Sequence, residues 1–215
     1  MYKNYNMENL SDFIKESLEN YDNGVTSDAY KICDALTRYL DYSKLKKTTN
    51  DDPKRFDISK NNEQLFIDSF ENANIEYTAV SSQDYYGMTN KGDWNGLSAK
   101  EKSKFYTKNG NIIILDKEQK PVYYITIEIS NNYFGSVYLG SLLNFNKNGY
   151  FICINKSQNQ AKYISHKALV DATKKNGKLL MPPMRGNYEG YFVRWLGKDL
   201  SSEYFIPGKQ IAKFN

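Results

Sequence analysis

The residue types that can do chemistry converge on one stretch of the chain. In Tyr124-Ile-Thr-Ile-Glu-Ile-Ser130, Ile125, Ile127 and Ile129 alternate with Thr126, Glu128 and Ser130. Strand side chains point to opposite faces in turn, so Glu128 and Ser130 share a polar face behind an apolar one. This stretch is the second arm of a hairpin running from Gly110 to Ser130: Asn111-Ile-Ile-Ile-Leu115, the turn Asp116–Lys120, then Pro121–Ser130. A strand carboxylate beside a hairpin partner that supplies a second acid, completed by a Glu from a preceding helix, makes an oxygen-only set suited to a hard cation such as Mg²⁺ or Mn²⁺. A cation so held activates water and stabilises charge at a scissile phosphate. Glu128, Asp116 and Glu63 stand in those places, with Asn111 and Ser130 as their polar neighbours.

The elements that must position these residues follow from local pattern. Ser11 caps a helix over Asp12–Asn20, and Ser27 caps a second in which Ala29, Ile32, Cys33, Leu36 and Leu40 recur at helical spacing. Residues 44–60 read as a polar connector. Asn61 or Asn62 then caps a helix to about Asn74 with Leu65, Phe66, Phe70 and Ala73 inward, followed by a strand over Ile75–Val80. A long loop with turns at Tyr86-Gly87 and Asn90–Gly92 leads to Ser98-Ala-Lys-Glu101, a capping box opening a short helix before the hairpin. Beyond the hairpin the expected order is a helix over Ser136–Asn144, a buried strand over Tyr150–Asn155 and a short strand over Ala161–Ile164. A helix capped by Ser165 then runs to Asn176 with Gly177 at its end, and strands follow over Tyr188–Leu196 and Glu203–Ile206. This is an α/β (α+β) domain, a central mixed β-sheet with flanking helices. At 215 residues it reads as a single domain over 1–215, with a helical N-terminal extension (1–45), a core (61–175) and C-terminal strands (178–215).

The helix–strand–hairpin order resembles the PD-(D/E)XK nuclease superfamily. The helix bearing Glu63 looks like that family's first core helix, and Gly110–Leu115 with Tyr124–Ser130 looks like its hairpin of the form Asp, apolar run, turn, apolar run, Glu-x-Lys. The similarity spans roughly residues 61–175 and implies a restriction-endonuclease-like core, bound Mg²⁺ or Mn²⁺, and hydrolysis of DNA in preference to RNA. Two departures bear on activity. Asn111 stands where the metal-binding Asp is expected, and an amide oxygen brings no charge. Ser130 stands where the catalytic Lys is expected, and a hydroxyl cannot offset charge as an ammonium does. Asp116 and Asp93 are the candidate replacements for the acid, Lys108 and Lys156 for the lysine.

Charge is unevenly divided. Residues 1–107 carry 14 Lys and Arg against 18 Asp and Glu, and residues 108–215 carry 15 against 7, within an overall +4. A basic second half suits a phosphate-binding face, with Lys108, Lys156, Arg185 and Arg194 as candidate contacts and Tyr188 and Tyr191 available for stacking. Ordinary structure explains the same residues in other ways. Glu128 reads as an edge residue of an amphipathic strand, Glu63 as a first-turn acid favouring the helix dipole, Asp116 as a turn residue, and 184–195 as a core strand. Cys33 and Cys153 fit no metal or disulfide spacing and read as buried small hydrophobes. A single histidine, His166, without a partnering nucleophile argues against a Cys–His hydrolase, and no Walker A, dinucleotide-binding or nucleophile-elbow motif is present. The chain has no apolar run of about 20 residues, so it is expected to be cytoplasmic with no membrane partner, and a homodimer is an open option. Three functions follow as expectations: a metal-dependent DNA endonuclease, a catalytically inactive nucleic-acid- or protein-binding regulator of phage or mobile-element type, and a virion or scaffold component.

Overall fold

The computed structural model describes residues 25–47, 52–90, 92–130, 134–175, 180–181 and 192–196. The expected helix over Asp12–Asn20, the strand over Glu203–Ile206, Gly177 and Arg185 lie outside them. Helix α1 (Val25–Arg38) buries Ala29, Ile32, Cys33 and Leu36 along one face, as the spacing requires; Ser27 falls inside its first turn rather than before it. Helix α2 (Arg55–Asn72) starts at Arg55, not at Asn61, which shortens the expected connector. The reason is visible in what the helix buries. Asn62, Glu63 and Ser69 are inward together with Phe66, Ile67 and Phe70, so the N-terminal half shows no apolar periodicity. Glu63 is therefore a mid-helix residue, 1% exposed, and not a first-turn acid.

Strand β1 (Thr78–Ser81) ends in Ser81, whose hydroxyl accepts a hydrogen bond from Asp84 N–H and caps helix α3 (Ser82–Thr89). The sequence pattern had suggested a loop here. The segment folds instead because Tyr86, Trp94 and Phe105 meet edge to face at ring-centroid separations of 5.3 to 5.8 Å, giving it a small aromatic core of its own. Trp94 lies in a 3₁₀ turn, and the Ser98–Glu101 capping box then opens helix α4 (Ala99–Asn109).

Next come β2 (Ile112–Leu115) and β3 (Pro121–Ser130), which form the expected antiparallel hairpin. Strand β4 (Phe134–Tyr138) and helix α5 (Leu139–Asn144) replace a single helix over Ser136–Asn144. The strand half pairs with β8 (Phe192–Leu196), a partner too distant in sequence to show in a local pattern, and β8 also pairs with β7 (Leu180–Met181). Strands β5 (Gly149–Asn155) and β6 (Gln160–Ser165) lead into helix α6 (His166–Lys175), where the Ser165 hydroxyl accepts from Ala168 N–H at 3.0 Å as the expected cap.

The main sheet is mixed, in the order β1-β2-β3-β5-β6, with β3 and β5 parallel and the other neighbours antiparallel. Alternation divides its core in two. Ile112, Ile114, Ile125, Ile152, Ile154 and Tyr163 pack with residues of α1 and α2, while Phe151, Cys153 and Ile164 pack with Leu142, Phe145, Ala168 and Leu169. Both cysteines are free and buried. Among the described residues no helix is long and apolar enough to cross a membrane.

The hairpin's arms are unequal, and this matters for the site. β2 begins opposite Ile125, so among the described residues strand β3 pairs from Ile127 to Ser130 with β5 alone and its other edge is open. Gly110 sets that boundary. Its φ of +76° and its approach to β3 leave no room for a Cβ, which would lie 2.3 Å from the Ile125 carbonyl oxygen. Gly110→Ala combines left-handed strain with a backbone clash and is expected to destabilise the fold by about 3 kcal/mol or more, read as a lowered denaturant midpoint. An unchanged midpoint would refute this close approach.

Candidate active site

The open edge of β3 is filled by a side chain. Asn111 precedes β2, and its Oδ1 accepts from the Ile127 N–H at 2.8 Å, standing in for the carbonyl a longer β2 would provide. A strand N–H demands an acceptor, so the amide nitrogen must face the other way. There Nδ2 donates to Glu63 Oε1 at 3.2 Å and to Ser59 Oγ at 3.3 Å. Ser59, one helical turn before Glu63 on α2, donates its hydroxyl to the same Oε1 at 3.0 Å. Among the described residues no hydrogen bond within 3.5 Å reaches the other carboxyl oxygen, the buried Glu63 Oε2, and Tyr106 is the further hydrogen-bonding group at this carboxyl. Tyr106 faces the same carboxyl from α4, and its ring stacks on Phe56 of α2 at 6.2 Å and meets Trp94 edge to face at 5.7 Å.

Glu63, Ser59 and Asn111 line a small pocket together with Lys46, Asn62, Ile127, Glu128 and Ile129. Its free volume of about 80 Å³ admits several waters or a hydrated ion. Burial pushes the Glu63 carboxyl up to about 7, against the pull of the hydrogen bonds from Asn111, Ser59 and Tyr106, and the negative charge of Asp84 adds to the rise. Burial likewise raises the half-buried Glu128 to about 7, and Lys47 is the charge that opposes it. The two acids approach the pocket from different sides: Glu63 comes from α2, and Glu128 alternates with Ile127 and Ile129, so its side chain lies on the face of β3 that carries Cys153. Desolvated acids of this kind are what a proton-transfer or cation site requires.

The other candidates lie elsewhere. Asp116 is at the far end of β2 from Asn111, roughly 17 Å away at about 3.4 Å per residue. Its carboxylate accepts from Glu118 N–H and Lys120 N–H, both at 2.9 Å, so it is a turn residue and cannot share a cation with Glu128. Asp93 caps the 3₁₀ turn through Asn95 N–H at 2.9 Å. Ser130 is buried at the end of β3, on the same sheet face as Glu128, and does not line the pocket. Lys108 is exposed in the last turn of α4, and Lys156 points its ammonium at the Leu45 carbonyl. Arg194 lies in β8 opposite Ser136. His166 contacts the Leu142 carbonyl through Nε2 at 2.8 Å, away from these acids.

Sequence reasoning missed Ser59, Asn62, Lys46, Lys47 and Tyr106. Ser59 and Glu63 were visible as a polar pair four residues apart, the spacing of helix neighbours, once the helix is extended back to Arg55. No local signal marked the lysines.

The donors meet a hard divalent cation part-way. They are oxygen groups, and the orphaned Glu63 Oε2 is the buried atom a cation would satisfy. Among the described residues, however, no three His, Cys, Asp or Glu side chains cluster as a metal site, so the set is two carboxylates and an uncharged amide.

One solved structure resembles this chain. It is D212, a nuclease from a fusselovirus, 13% identical over 73% of this chain and 82% of that chain, with a TM-score of 0.37. No protein-family model matches the chain, and no curated protein matches it.

Proposed function

We propose that this protein hydrolyses phosphodiester bonds in nucleic acid, DNA in preference to RNA, at the Glu63–Asn111–Glu128 pocket with the help of Mg²⁺ or Mn²⁺. The observation that carries the reading is convergence. A helix, the residue before a strand and a second strand each contribute a polar residue to the lining of one pocket, where the Glu63 carboxyl is desolvated by burial. A hydrophobic core does not keep such groups without a use for them, because burying an unsatisfied carboxyl oxygen is costly.

Glu63 Oε2 and the Glu128 carboxylate would hold the cation. When bound, it would polarise a phosphoryl oxygen and lower the pKa of water. The residues' own parts follow from their surroundings. Asn111 and Ser59 hold Glu63 in one rotamer through Oε1, so that Oε2 is the oxygen left for a cation. Glu128, besides holding the cation, would accept a hydrogen bond from a water approaching along the open β3 edge and so orient it. Tyr106, stacked on Phe56, faces the Glu63 carboxyl from α4 and helps to fix its position.

Purified protein incubated with plasmid and Mg²⁺ or Mn²⁺ is expected to nick or cleave it, and Glu128→Gln to lower the rate by about 100-fold or more, because it removes an anionic ligand of the cation. Equal cleavage by both proteins, or none across supercoiled, linear and single-stranded DNA, would sink the hydrolytic reading.

A second reading has its own observation. Every hydrogen-bonding atom of the Asn111 amide is engaged inside the protein, so the position of the expected third acid is spent on holding Glu63 and β3 together. On this reading the pocket is a structural remnant, and the chain binds nucleic acid or a protein partner without turnover. Binding that persists in EDTA and survives Glu128→Gln, with no cleavage, is its signature.

A further inference from the structure

We propose that Lys46 and Lys47 form a phosphate-gripping strap across the mouth of the Glu63–Glu128 pocket, held there by the side chain of Asn62. This rests on the proposed site acting on a nucleic-acid backbone. Beyond α1 the chain is anchored at two consecutive residues, Leu45 and Lys46. Leu45 is fully buried in the core with α1 and α2, and its carbonyl accepts from the Lys156 ammonium at the end of β5. Lys46 is gripped on both sides of its backbone: its N–H donates to Asn62 Oδ1 at 3.0 Å, and its carbonyl accepts from Asn62 Nδ2 at 2.7 Å. Asn62 is itself buried and is the residue next to Glu63 on α2.

This anchoring fixes the backbone and leaves the side chains free. Lys46 and Lys47 are exposed, and among the described residues neither ammonium is in an ion pair. Lys46 lines the pocket, and the charge of Lys47 is felt at Glu128. A flexible connector needs no buried amide to hold it, so the double clamp from Asn62 points to a requirement that these two residues stay beside the carboxylates. A phosphodiester supplies the full negative charge that two point cations would meet, with release of its counterions. The arrangement also gives Lys156 a different part from the one its position in the basic half suggested. It fastens the strap.

The test is binding of a fluorescein-labelled 20-nucleotide DNA, as single strand and as duplex, to the full chain in EDTA across a salt series, read by fluorescence anisotropy. Lys46→Ala with Lys47→Ala is expected to weaken binding about tenfold or more and to lower the slope of log affinity against log salt by about one to two. Lys46→Arg with Lys47→Arg should restore most of both. Lys117→Ala with Lys120→Ala, the same charge removed at the hairpin turn, should change neither by comparison. Asn62→Ala, checked by thermal melting to be folded, should weaken binding although both lysines remain. Unchanged affinity and slope in the Lys46/Lys47 variant, an equal loss in the hairpin-turn control, or no binding by the parent chain overturns the proposal. Because EDTA removes turnover, the two readings fail separately. Lysine-dependent binding without cleavage leaves the strap standing and removes the hydrolysis, and cleavage with lysine-independent binding does the reverse.

Discussion

Glu63→Gln is expected to make the protein more stable at pH 8 by about 3 kcal/mol while abolishing cleavage. The carboxyl has a folded-state value of about 7 against an ordinary 4.5, a gap of about 2.5 units at 1.36 kcal/mol each. The sign follows from which form the fold prefers. Burial favours the protonated acid, so the folded state binds the proton more tightly than the unfolded chain. The stability Glu63 contributes is fully present below about pH 4.5 and is lost as pH rises through about 7. Glutamine keeps the useful half of the group, since its oxygen still accepts from Asn111 and Ser59, and it carries no charge to be desolvated. Urea unfolding of both proteins at pH 5, 6, 7 and 8 reads this directly: the wild type should lose stability across the window more steeply than the variant. Glu128 has the same direction of shift and leaves a residual slope in Glu63→Gln. Saturating Mg²⁺ at pH 8 should recover much of the wild type's loss and little of the variant's, because a ligand that binds only the folded state stabilises it. A variant less stable than wild type at pH 8, or a wild type with flat stability over this range, would mean that Glu63 is not a strained acid at all.

That strain also explains how much of the molecule was legible beforehand. The hairpin, β5, β6 and the Ser98 and Ser165 caps could be read because each obeys one local rule along its whole length. α2 could not, because the turn carrying Ser59, Asn62 and Glu63 buries polar groups where the pattern of a helix calls for apolar ones. The place where periodicity failed is the wall of the pocket, and a helix face that violates the rule is what a site built on a helix looks like from the sequence. β4 was hidden for a different reason: its partner β8 lies more than fifty residues on, and pairing at that range leaves no local trace. Asp116 misled because an acid just after a four-residue strand looks as near in sequence as Asn111 just before it. The sheet separates them by its whole width along the strand. Lys46 and Lys47 were read as connector, since nothing in Leu45-Lys-Lys47 reveals that Asn62 will reach back to hold it.

Asn111→Asp tests whether the site lacks one charge or has been turned to another use, and it should act in opposite directions with and without metal. The new carboxylate could still accept from Ile127 N–H but could no longer donate to Glu63 or Ser59. Two carboxylates would then face each other at about the 3.2 Å that the hydrogen bond now spans. Like charges at that range either share a proton or repel by several kcal/mol at an effective dielectric of about 20. Without metal at pH 8 the variant should be destabilised by about 2 to 4 kcal/mol, the range for breaking a buried hydrogen-bonded pair and leaving the charge uncompensated. Lowering the pH to 5 should return most of that loss, since one proton between the two acids restores a donor. Adding Mg²⁺ or Mn²⁺ should do the same at pH 8, and titration calorimetry should show affinity raised by about 10- to 100-fold over wild type, because a third anionic oxygen now completes the set. Cleavage should rise with it. If the variant is destabilised and neither cation rescues it, the pocket does not gather ligands around a cation, and the Asn111 amide is there to join α2 to the open edge of β3. If it is rescued in stability but still does not cleave, the missing element is the positive charge absent at Ser130, and the lysines of the strap are then the residues to examine against the rate.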